Sequence, residues 1–293
     1  MGDAAAPGGG STLVIAWIRD WLRARGYEAL IVTSEDAHQS EYVADADKKR
    51  EWVSGFTGSA GTAVVSLSNA WLWTDSRYLL QAQQELDPQV WSVMHILPRQ
   101  NSMADHLAAN LPPNSRVAVD PWLVPLSTAR TLESKLGPKG HSLIALEASP
   151  IDELWSNRPP LSSVPAVLHP RHHAGLSVQE KLGVVREEMA KLEVDALVLT
   201  ALDEVAWMYN VRGSDIPYNP VVVSYALVTA TDAAWYVREG AAGDAVRAEL
   251  VASGVTIKDY HAIQVRCQLL SCPVAATGLR VCASVCASVC ASV

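Results

Sequence analysis

Hydrophobic side chains recur with helical spacing near the start of the chain. Leu13, Trp17 and Trp21 lie four residues apart, and a second apolar row starts at Val14. This spacing predicts an amphipathic helix, because side chains at i, i+4 and i+8 share one helix face. We expect the helix to end at Gly26, since glycine commonly follows the last helical turn.

Three short apolar runs follow this helix and predict buried strands. They cover residues 29–33, 62–66 and 70–74 and are rich in β-branched or aromatic side chains. A short turn containing Ser68 and Asn69 joins the last two runs. The order of the patterns is therefore one helix, one strand and one hairpin.

The second half of the chain repeats this order. Ser177 and Glu180 have the spacing of a capping box, which marks the start of a helix. Residues 195–200 then resemble the first copy's single strand, and 226–229 with 234–237 resemble its hairpin. The duplication predicts an α/β protein with two tandem domains, each a mixed β-sheet flanked by helices.

Composition sets the expected domain boundaries. Residues 1–10 predict a disordered extension, 11–155 a first domain, 156–175 a proline-rich linker, 176–264 an incomplete second domain, and 265–293 an unrelated tail.

The tail differs sharply in composition from the rest of the chain. All five cysteines lie between Cys267 and Cys290, whereas all 10 tryptophans precede residue 267. The chain ends in repeats of Val-Cys-Ala-Ser, a charge-free and β-compatible pattern that is typical of aggregation-prone segments. We interpret 265–293 as an irregular, low-complexity tail.

Charge argues against nucleic acid as a partner. The net charge is −8, whereas phosphate binding requires clustered lysine and arginine. The one basic run, 48–50, follows Asp45 and Asp47 and is interpreted as a solvated face.

Hydropathy predicts neither a membrane span nor a secretory signal. The most apolar stretch, 221–237, contains polar residues and falls short of the roughly 18 apolar residues of a spanning helix. The first ten residues lack the basic start of a signal peptide. We therefore expect a cytoplasmic protein.

Several longer motifs resemble one enzyme family. Residues 34–42, 54–63 and 73–78 closely resemble the first domain of cytosolic Xaa-Pro aminopeptidases, also called aminopeptidase P. In the second copy, 200–215 with the Asn-Pro pair at 219–220 resemble the second domain of those enzymes. The resemblance implies two creatinase N-terminal-like domains.

The resemblance also implies where the chemistry of the family resides. Its members release an N-terminal residue that precedes proline, using two metal ions, usually manganese, in a third domain. Two Asp, one His and two Glu of that domain supply the ligands. Because the resemblance covers only about 11–264, we expect a chain truncated before the metallopeptidase domain, with no catalytic residue and no cofactor of its own.

Two groups of residues are candidates for substrate access or an interface. His38 and Glu41 follow a predicted strand, where α/β domains commonly place ligand groups. Asp75, Arg77 and Tyr78 follow another, and Arg77 is the best candidate to reach a peptide or a neighbouring chain. The alternative is a salt bridge on the domain's own surface.

Three other groups of residues were compared with known metal-binding and phosphate-binding patterns. His169, His172 and His173 form the densest histidine group, but they lie in the predicted linker without a nearby acid. His38 with its neighbouring acids could hold a metal as an alternative. The glycine-rich segment 55–61 lacks the Gly-Lys-Ser/Thr ending of a phosphate loop and is interpreted as a tight turn.

The sequence predicts the non-catalytic N-terminal part of an Xaa-Pro aminopeptidase, inactive alone. Peptide is then a substrate only of the full-length enzymes. The alternative function is a dimerisation or interaction module that binds itself or the full-length aminopeptidase. A third alternative is a non-functional gene product.

Overall fold

The computed structural model describes residues 12–97, 102–263 and 281–283. They form two compact units, one from Met1–Ala37 and Ala46–Pro159, the other from His38–Asp45 and Pro160–Val293. The division between Pro159 and Pro160 lies in the proline-rich segment 156–175.

In the first unit helices and strands alternate, except that β2 and β3 follow one another as a hairpin. In chain order they are α1 Thr12–Arg25, β1 Ala29–Thr33, α2 Lys49–Ser54, β2 Thr62–Ser66, β3 Ala70–Thr74, α3 Leu79–Glu85, β4 Trp91–His95, α4 Met103–Asn110, β5 Arg116–Val119, α5 Leu126–Leu136, β6 Ser142–Ala145 and α6 Pro150–Leu154. The predicted helix and three strands are confirmed as α1, β1, β2 and β3.

The six strands of this unit form one mixed sheet in the order β4-β3-β2-β1-β5-β6. The β1-β2 and β2-β3 pairs are antiparallel, whereas β3-β4, β1-β5 and β5-β6 are parallel. Helices cover both faces of the sheet, which explains why its central strand is a continuous apolar run.

The side chains of β1 are packed against helices on both faces of the sheet. Leu30 and Val32 belong to one apolar cluster with the core face of α1, while Ala29 and Ile31 belong to another with α4 and α5. Successive strand residues point to opposite faces, so both faces of β1 are packed.

The second unit contains a shorter set of elements. They are β7 Val167–Leu168, α7 Arg171–Ala174, α8 Val178–Lys191, β8 Ala196–Leu199, α9 Leu202–Tyr209, β9 Val211–Arg212, β10 Ser224–Thr229, β11 Ala233–Val237, α10 Asp244–Ala252, β12 Val255–Asp259 and β13 Val281–Ala283. β7 and α7 lie in the segment expected to be a linker.

The capping box at the start of α8 is present. The Ser177 hydroxyl accepts a hydrogen bond from the Glu180 backbone N–H, and the Glu180 carboxylate accepts one from the Ser177 N–H. Two backbone donors that α8 cannot satisfy internally are thereby bonded.

Five of these strands form a sheet in the order β12-β11-β10-β8-β13. The β8-β10 and β10-β11 pairs are antiparallel, and β11-β12 and β8-β13 are parallel. This is the pairing of β4-β3-β2-β1-β5 in the first unit, with β8 in the place of β1 and β13 in the place of β5. The topology therefore confirms two copies of one α/β module.

β13 lies in the segment predicted as an irregular tail, and its three residues form a strand. The rest of the tail and the predicted disordered extension 1–10 lie outside the described residues. The interpretation of the basic run as solvated is wrong for Lys49 and Arg50, which are 7% and 5% exposed. Sequence charge alone could not show that α2 turns these two side chains inward.

Candidate functional site

Arg50 organises the glycine-rich loop that leads into β2. Its guanidinium donates hydrogen bonds to the carbonyl oxygens of Phe56 and Gly58, and its Nε donates to the Ser34 hydroxyl at 3.1 Å. The same guanidinium lies 4.8 Å from the centre of the Phe56 ring. Burial lowers the pKa of Arg50 to about 10. Arg50 therefore fixes the loop from inside the first unit.

Two glycines allow this loop to close. Gly55 ends α2 with a left-handed backbone, φ 78°, and donates its N–H to the Glu51 carbonyl oxygen. A Cβ on Gly58 would lie 2.3 Å from the Phe56 ring, so the chain has no room for a side chain there. The interpretation of 55–61 as a tight turn agrees with this geometry.

Asp75, Arg77 and Tyr78 lie together at the end of β3. The Arg77 guanidinium donates to both carboxylate oxygens of Asp75, at 2.8 and 3.0 Å, and lies 5.0 Å from the centre of the Tyr78 ring. The Tyr78 hydroxyl is 2.7 Å from that of Ser59, which joins this group to the glycine-rich loop. The hydrogen bonds from Arg77 lower the pKa of Asp75.

Arg77 thus forms the intradomain salt bridge considered as the alternative. The arrangement nevertheless leaves the Arg77 side chain 66% exposed at the surface. Whether it contacts a peptide or another chain stays a prediction.

Three acids of the first unit belong to an ion-pair network with Lys49 and Arg158. Lys49 Nζ lies 3.0 Å from Asp152 and 3.6 Å from Asp120, and Arg158 pairs with Asp152 and Asp47 at 2.6 and 2.9 Å. Burial raises the pKa of Asp47 and of Asp120, despite the cations beside them. Every one of these carboxylates has a cationic partner, which indicates a structural role.

His38 contacts the rings of two tyrosines of the second unit, Tyr225 and Tyr260. Its Nδ1 is 2.8 Å from the Thr200 carbonyl oxygen, which can only accept, so Nδ1 carries a proton. Its Nε2 is 2.9 Å from the Tyr260 hydroxyl, and its ring centre is 4.3 Å from that of Tyr225. In the neutral imidazole the Tyr260 hydroxyl donates to Nε2. Both ring nitrogens are then occupied, which leaves His38 without a lone pair for a metal.

Glu41 is exposed and is not among the partners of His38 just described. His172 and His173 lie side by side in α7, with ring centres 4.0 Å apart. Within residues 12–97, 102–263 and 281–283, no group of three or more His, Cys, Asp or Glu has a metal-binding arrangement.

Sequence reasoning missed a further buried cation, Lys181 of α8. Its Nζ donates to the Trp207 carbonyl oxygen at 2.8 Å and to the Asn210 side-chain oxygen at 2.6 Å. Asn210 ends α9 in a left-handed conformation. Lys181 therefore holds the carboxyl end of α9, and burial lowers its pKa. Its position on the apolar side of an otherwise amphipathic helix was the available sequence signal.

Two family models cover almost all of the chain. Both are described as Creatinase/Prolidase N-terminal domain, and they match residues 15–154 and 157–289. The chain therefore belongs to this family and carries two of its domains. The second match continues to residue 289, into the segment predicted to be an unrelated tail.

Named relatives and a solved structure agree. The chain is 40% identical to Aminopeptidase P1 of Lotus japonicus over 83% of its own length and 37% of that protein. It is 40% identical to a probable Xaa-Pro aminopeptidase P of Aspergillus niger, over 87% of the chain and 41% of that protein.

The solved structure is an X-prolyl aminopeptidase from Caenorhabditis elegans, described as a cytosolic enzyme with a di-nuclear active site. It has 31% identity and a TM-score of 0.83, over 88% of this chain and 43% of that one. The chain thus spans about two fifths of the length of these relatives, and the resemblance to Xaa-Pro aminopeptidases is confirmed.

The described helices include no membrane-spanning candidate. The two longest, α1 and α8, have 14 residues each, and in the described part of the chain none combines the required length and hydrophobicity.

Proposed function

We propose that these two domains are the non-catalytic N-terminal part of an Xaa-Pro aminopeptidase and that the chain does not cleave peptides by itself. One observation carries the proposal. More than four fifths of the chain matches the relatives, but the match accounts for only about two fifths of their length and consists of N-terminal domains.

The geometry of the candidate residues supports this proposal. A two-metal hydrolase needs several carboxylates and imidazoles that converge on one open site. In the described residues the candidate groups are used otherwise. Asp75 pairs with Arg77, Asp152 pairs with Lys49 and Arg158, and both nitrogens of His38 are hydrogen-bonded.

Peptide hydrolysis tests the proposal. The purified chain would be incubated with Arg-Pro-Pro and added Mn²⁺, and release of free arginine would be followed. A full-length relative such as Aminopeptidase P1 of Lotus japonicus is the positive control. We expect product only from the control, and chelator-sensitive release by the chain would contradict the proposal.

A second candidate function is a dimerisation or interaction module, and the end of β3 favours it. Leu80 of α3 is 68% exposed, close in sequence to the exposed Arg77. Arg77 and Tyr78 are of residue types that are enriched at interface centres, and the exposed Leu80 would add apolar area to such a contact. The partner would be a second copy or the full-length aminopeptidase.

Sedimentation velocity tests this module. We expect the chain to associate with itself or with full-length enzyme, and Leu80→Asp to weaken that association about tenfold or more. Leu13→Asp is the matched control, since Leu13 is also exposed in the first unit, at 58%. A monomer that leaves the enzyme's sedimentation unchanged would contradict the module.

We also propose a cytoplasmic location without nucleic-acid or membrane partners. The acidic net charge supports the exclusion of nucleic acid, and the cytosolic relative from Caenorhabditis elegans supports the compartment. Fractionation of source cells tests it, with recovery in the membrane or nuclear fraction as the contrary result.

A further inference from the structure

Trp207 of α9 is exposed, whereas its counterpart in the first unit is buried. α9 follows β8 and precedes β10, as α2 follows β1 and precedes β2. Each helix ends at a residue with a left-handed backbone, Gly55 after α2 and Asn210 after α9. Trp52 and Trp207 each precede that residue by three positions. Trp52 is 5% exposed and Trp207 is 46% exposed. The same position of the module is therefore covered in one unit and, within the described residues, open in the other.

A pair of glycines supports this alignment of the two helices. Gly58 and Gly213 each follow their tryptophan by six residues. A Cβ on Gly58 would collide with the Phe56 ring, and one on Gly213 would collide with Val222. The correspondence of the two tryptophans therefore does not depend on the helix ends alone.

The residue that follows α6 covers Trp52 in the first unit. The indole rings of Trp52 and Trp155 are stacked, with centres 5.5 Å apart and planes at 17°. Asp152 of α6 lies 3.0 Å from the Nζ of Lys49, which precedes Trp52 by three residues. The end of α2 is thus covered by a helix that supplies a carboxylate and, three residues later, a large apolar side chain.

The charges beside Trp207 are opposite to those on α2. Glu204 occupies the position of Lys49, three residues before the tryptophan, and Asp203 adds a second acid. Both acids are exposed, and residues three and four positions apart are neighbours on a helix surface. A helix that covers Trp207 as α6 covers the tryptophan of the first unit must therefore bring a cation in place of the α6 carboxylate.

Lys181 holds Trp207 in place from the inside of the second unit. Its Nζ donates to the Trp207 carbonyl oxygen at 2.8 Å and lies 4.5 Å from the centre of the indole ring. Lys181 is 2% exposed, so this cation lies on the buried side of the ring. A side chain fixed in this way loses little conformational freedom when a partner covers it. Trp207 therefore has the properties of an interface anchor, a role in which tryptophan is enriched.

We propose that Asp203, Glu204 and Trp207 form a docking site for an amphipathic helix of another protein. That helix carries a lysine or arginine that pairs with the two acids and, three residues later, a large apolar side chain that packs on Trp207. α6 of a second copy does not fit this site, because it presents Asp152 and Glu153 to the acids of α9.

Two helical peptides test the charge of the partner. Both are alanine-rich, about 18 residues long so that they are helical in water, and carry Ile151, Leu154 and Trp155 in the spacing of α6. The acidic peptide keeps Asp152 and Glu153, whereas the basic peptide has Asp152→Lys and Glu153→Lys. Circular dichroism checks that the two peptides are equally helical.

Heteronuclear NMR of the ¹⁵N-labelled full chain measures binding, because each indole N–H gives its own signal and the unlabelled peptides give none. We expect the basic peptide to shift the Trp207 indole signal, which Trp207→Phe identifies by removing it. Its Kd should be lower than that of the acidic peptide by about tenfold or more. No saturable shift with the basic peptide would overturn the proposal. Equal affinities, or the preference for the acidic peptide that α6 of a second copy would produce, would overturn it as well.

Charge reversal in the protein separates pairing at this site from general attraction to an acidic chain. Asp203→Lys with Glu204→Lys should reverse the preference, so that the acidic peptide binds more tightly. Asp244→Lys with Glu249→Lys on α10 is the matched control, since both residues are exposed and the change in net charge is the same. This control should keep the preference for the basic peptide. A preference that the first pair leaves unchanged, or that the control pair also reverses, would contradict docking at α9.

Discussion

The first unit buries Arg50 of α2 next to Lys49, whereas the buried cation described in the second unit is Lys181 of α8. The two sheets share the same strand pairing, yet the cations come from different helices, α2 and α8, and hold different structures. Arg50 binds carbonyl oxygens of the loop before β2, and Lys181 binds the carboxyl end of α9. Repeating a topology therefore does not require repeating the contacts that fix it.

Arg50 and Lys181 both have a perturbed pKa without belonging to an active site described in these domains. Burial lowers the pKa of Arg50 and that of Lys181. A perturbed pKa is often taken as a sign of an active site. Here the described partners are carbonyl, hydroxyl and amide oxygens of the same unit. The lowered pKa values of Arg50 and Lys181 therefore reflect burial of structural cations.

The largest expected effect follows from removing Arg50. Arg50→Met leaves the buried carbonyl oxygens of Phe56 and Gly58 without this donor, at about 1–3 kcal/mol each. We expect the first unit to lose about 3 kcal/mol or more of its free energy of unfolding. Tryptophan fluorescence in urea reports it, because eight of the 10 tryptophans belong to that unit.

Arg130→Met is the matched control for Arg50. Arg130 is exposed on α5, and we expect a change within about 0.5 kcal/mol. Equal effects of the two substitutions would contradict the role given to Arg50.

Removal of Lys181 should affect the second unit instead. Lys181→Met removes two hydrogen bonds at the end of α9, and we expect a loss of about 2 kcal/mol. Hydrogen exchange of residues 176–263 should accelerate, while that of the first unit stays unchanged. Lys191→Met on the same helix is the control, since the exposed Lys191 pairs only at the surface with Glu188.

A smaller effect is expected from adding a methyl group to the glycine-rich loop. Gly58→Ala places a Cβ against the Phe56 ring, and overpacking of this kind costs about 1–3 kcal/mol. Gly137→Ala is the control, because no atom lies within 4 Å of its added Cβ and its φ is −53°. Urea denaturation should separate the two, and a neutral Gly58→Ala would show that the loop is not tightly closed.

The smallest expected effect is a pH dependence of the first unit. His106 packs edge-on against Trp71 and Trp73, and burial lowers its pKa below the usual 6.5. Below about pH 6.5 the unfolded chain then binds a proton that the folded unit does not. Stability is thus complete above that pH and falls as the pH decreases toward the folded-state pKa. His106→Phe should reduce this slope in urea titrations between pH 7.5 and 5, and an unchanged slope would exclude His106 as its source.

Much of the fold could be predicted because its pattern is local. The bounds of β1, β2 and β3 match the apolar runs, and the capping box marks the start of α8. The strand β13 could not be predicted this way, since Val-Cys-Ala-Ser carries no distinctive hydrophobic period. Its place beside β8 depends on a long-range pairing.

The candidate site could be predicted only in part. The sequence places Asp75, Arg77 and Tyr78 together after a strand, and their mutual contacts follow from that proximity. The surroundings of His38 could not be read from its neighbours. Thr200 and Tyr260, which bind its two nitrogens, lie 162 and 222 residues further along the chain.

Manganese binding is the most direct test of the proposal that these two domains are non-catalytic, because the result does not depend on the choice of peptide. Isothermal titration of Mn²⁺ into the purified full chain would measure stoichiometry and affinity, with a full-length aminopeptidase as the positive control. The proposed non-catalytic role predicts no saturable binding to the chain. Saturable binding of two ions per chain would contradict it and would show that these domains hold a metal centre of their own.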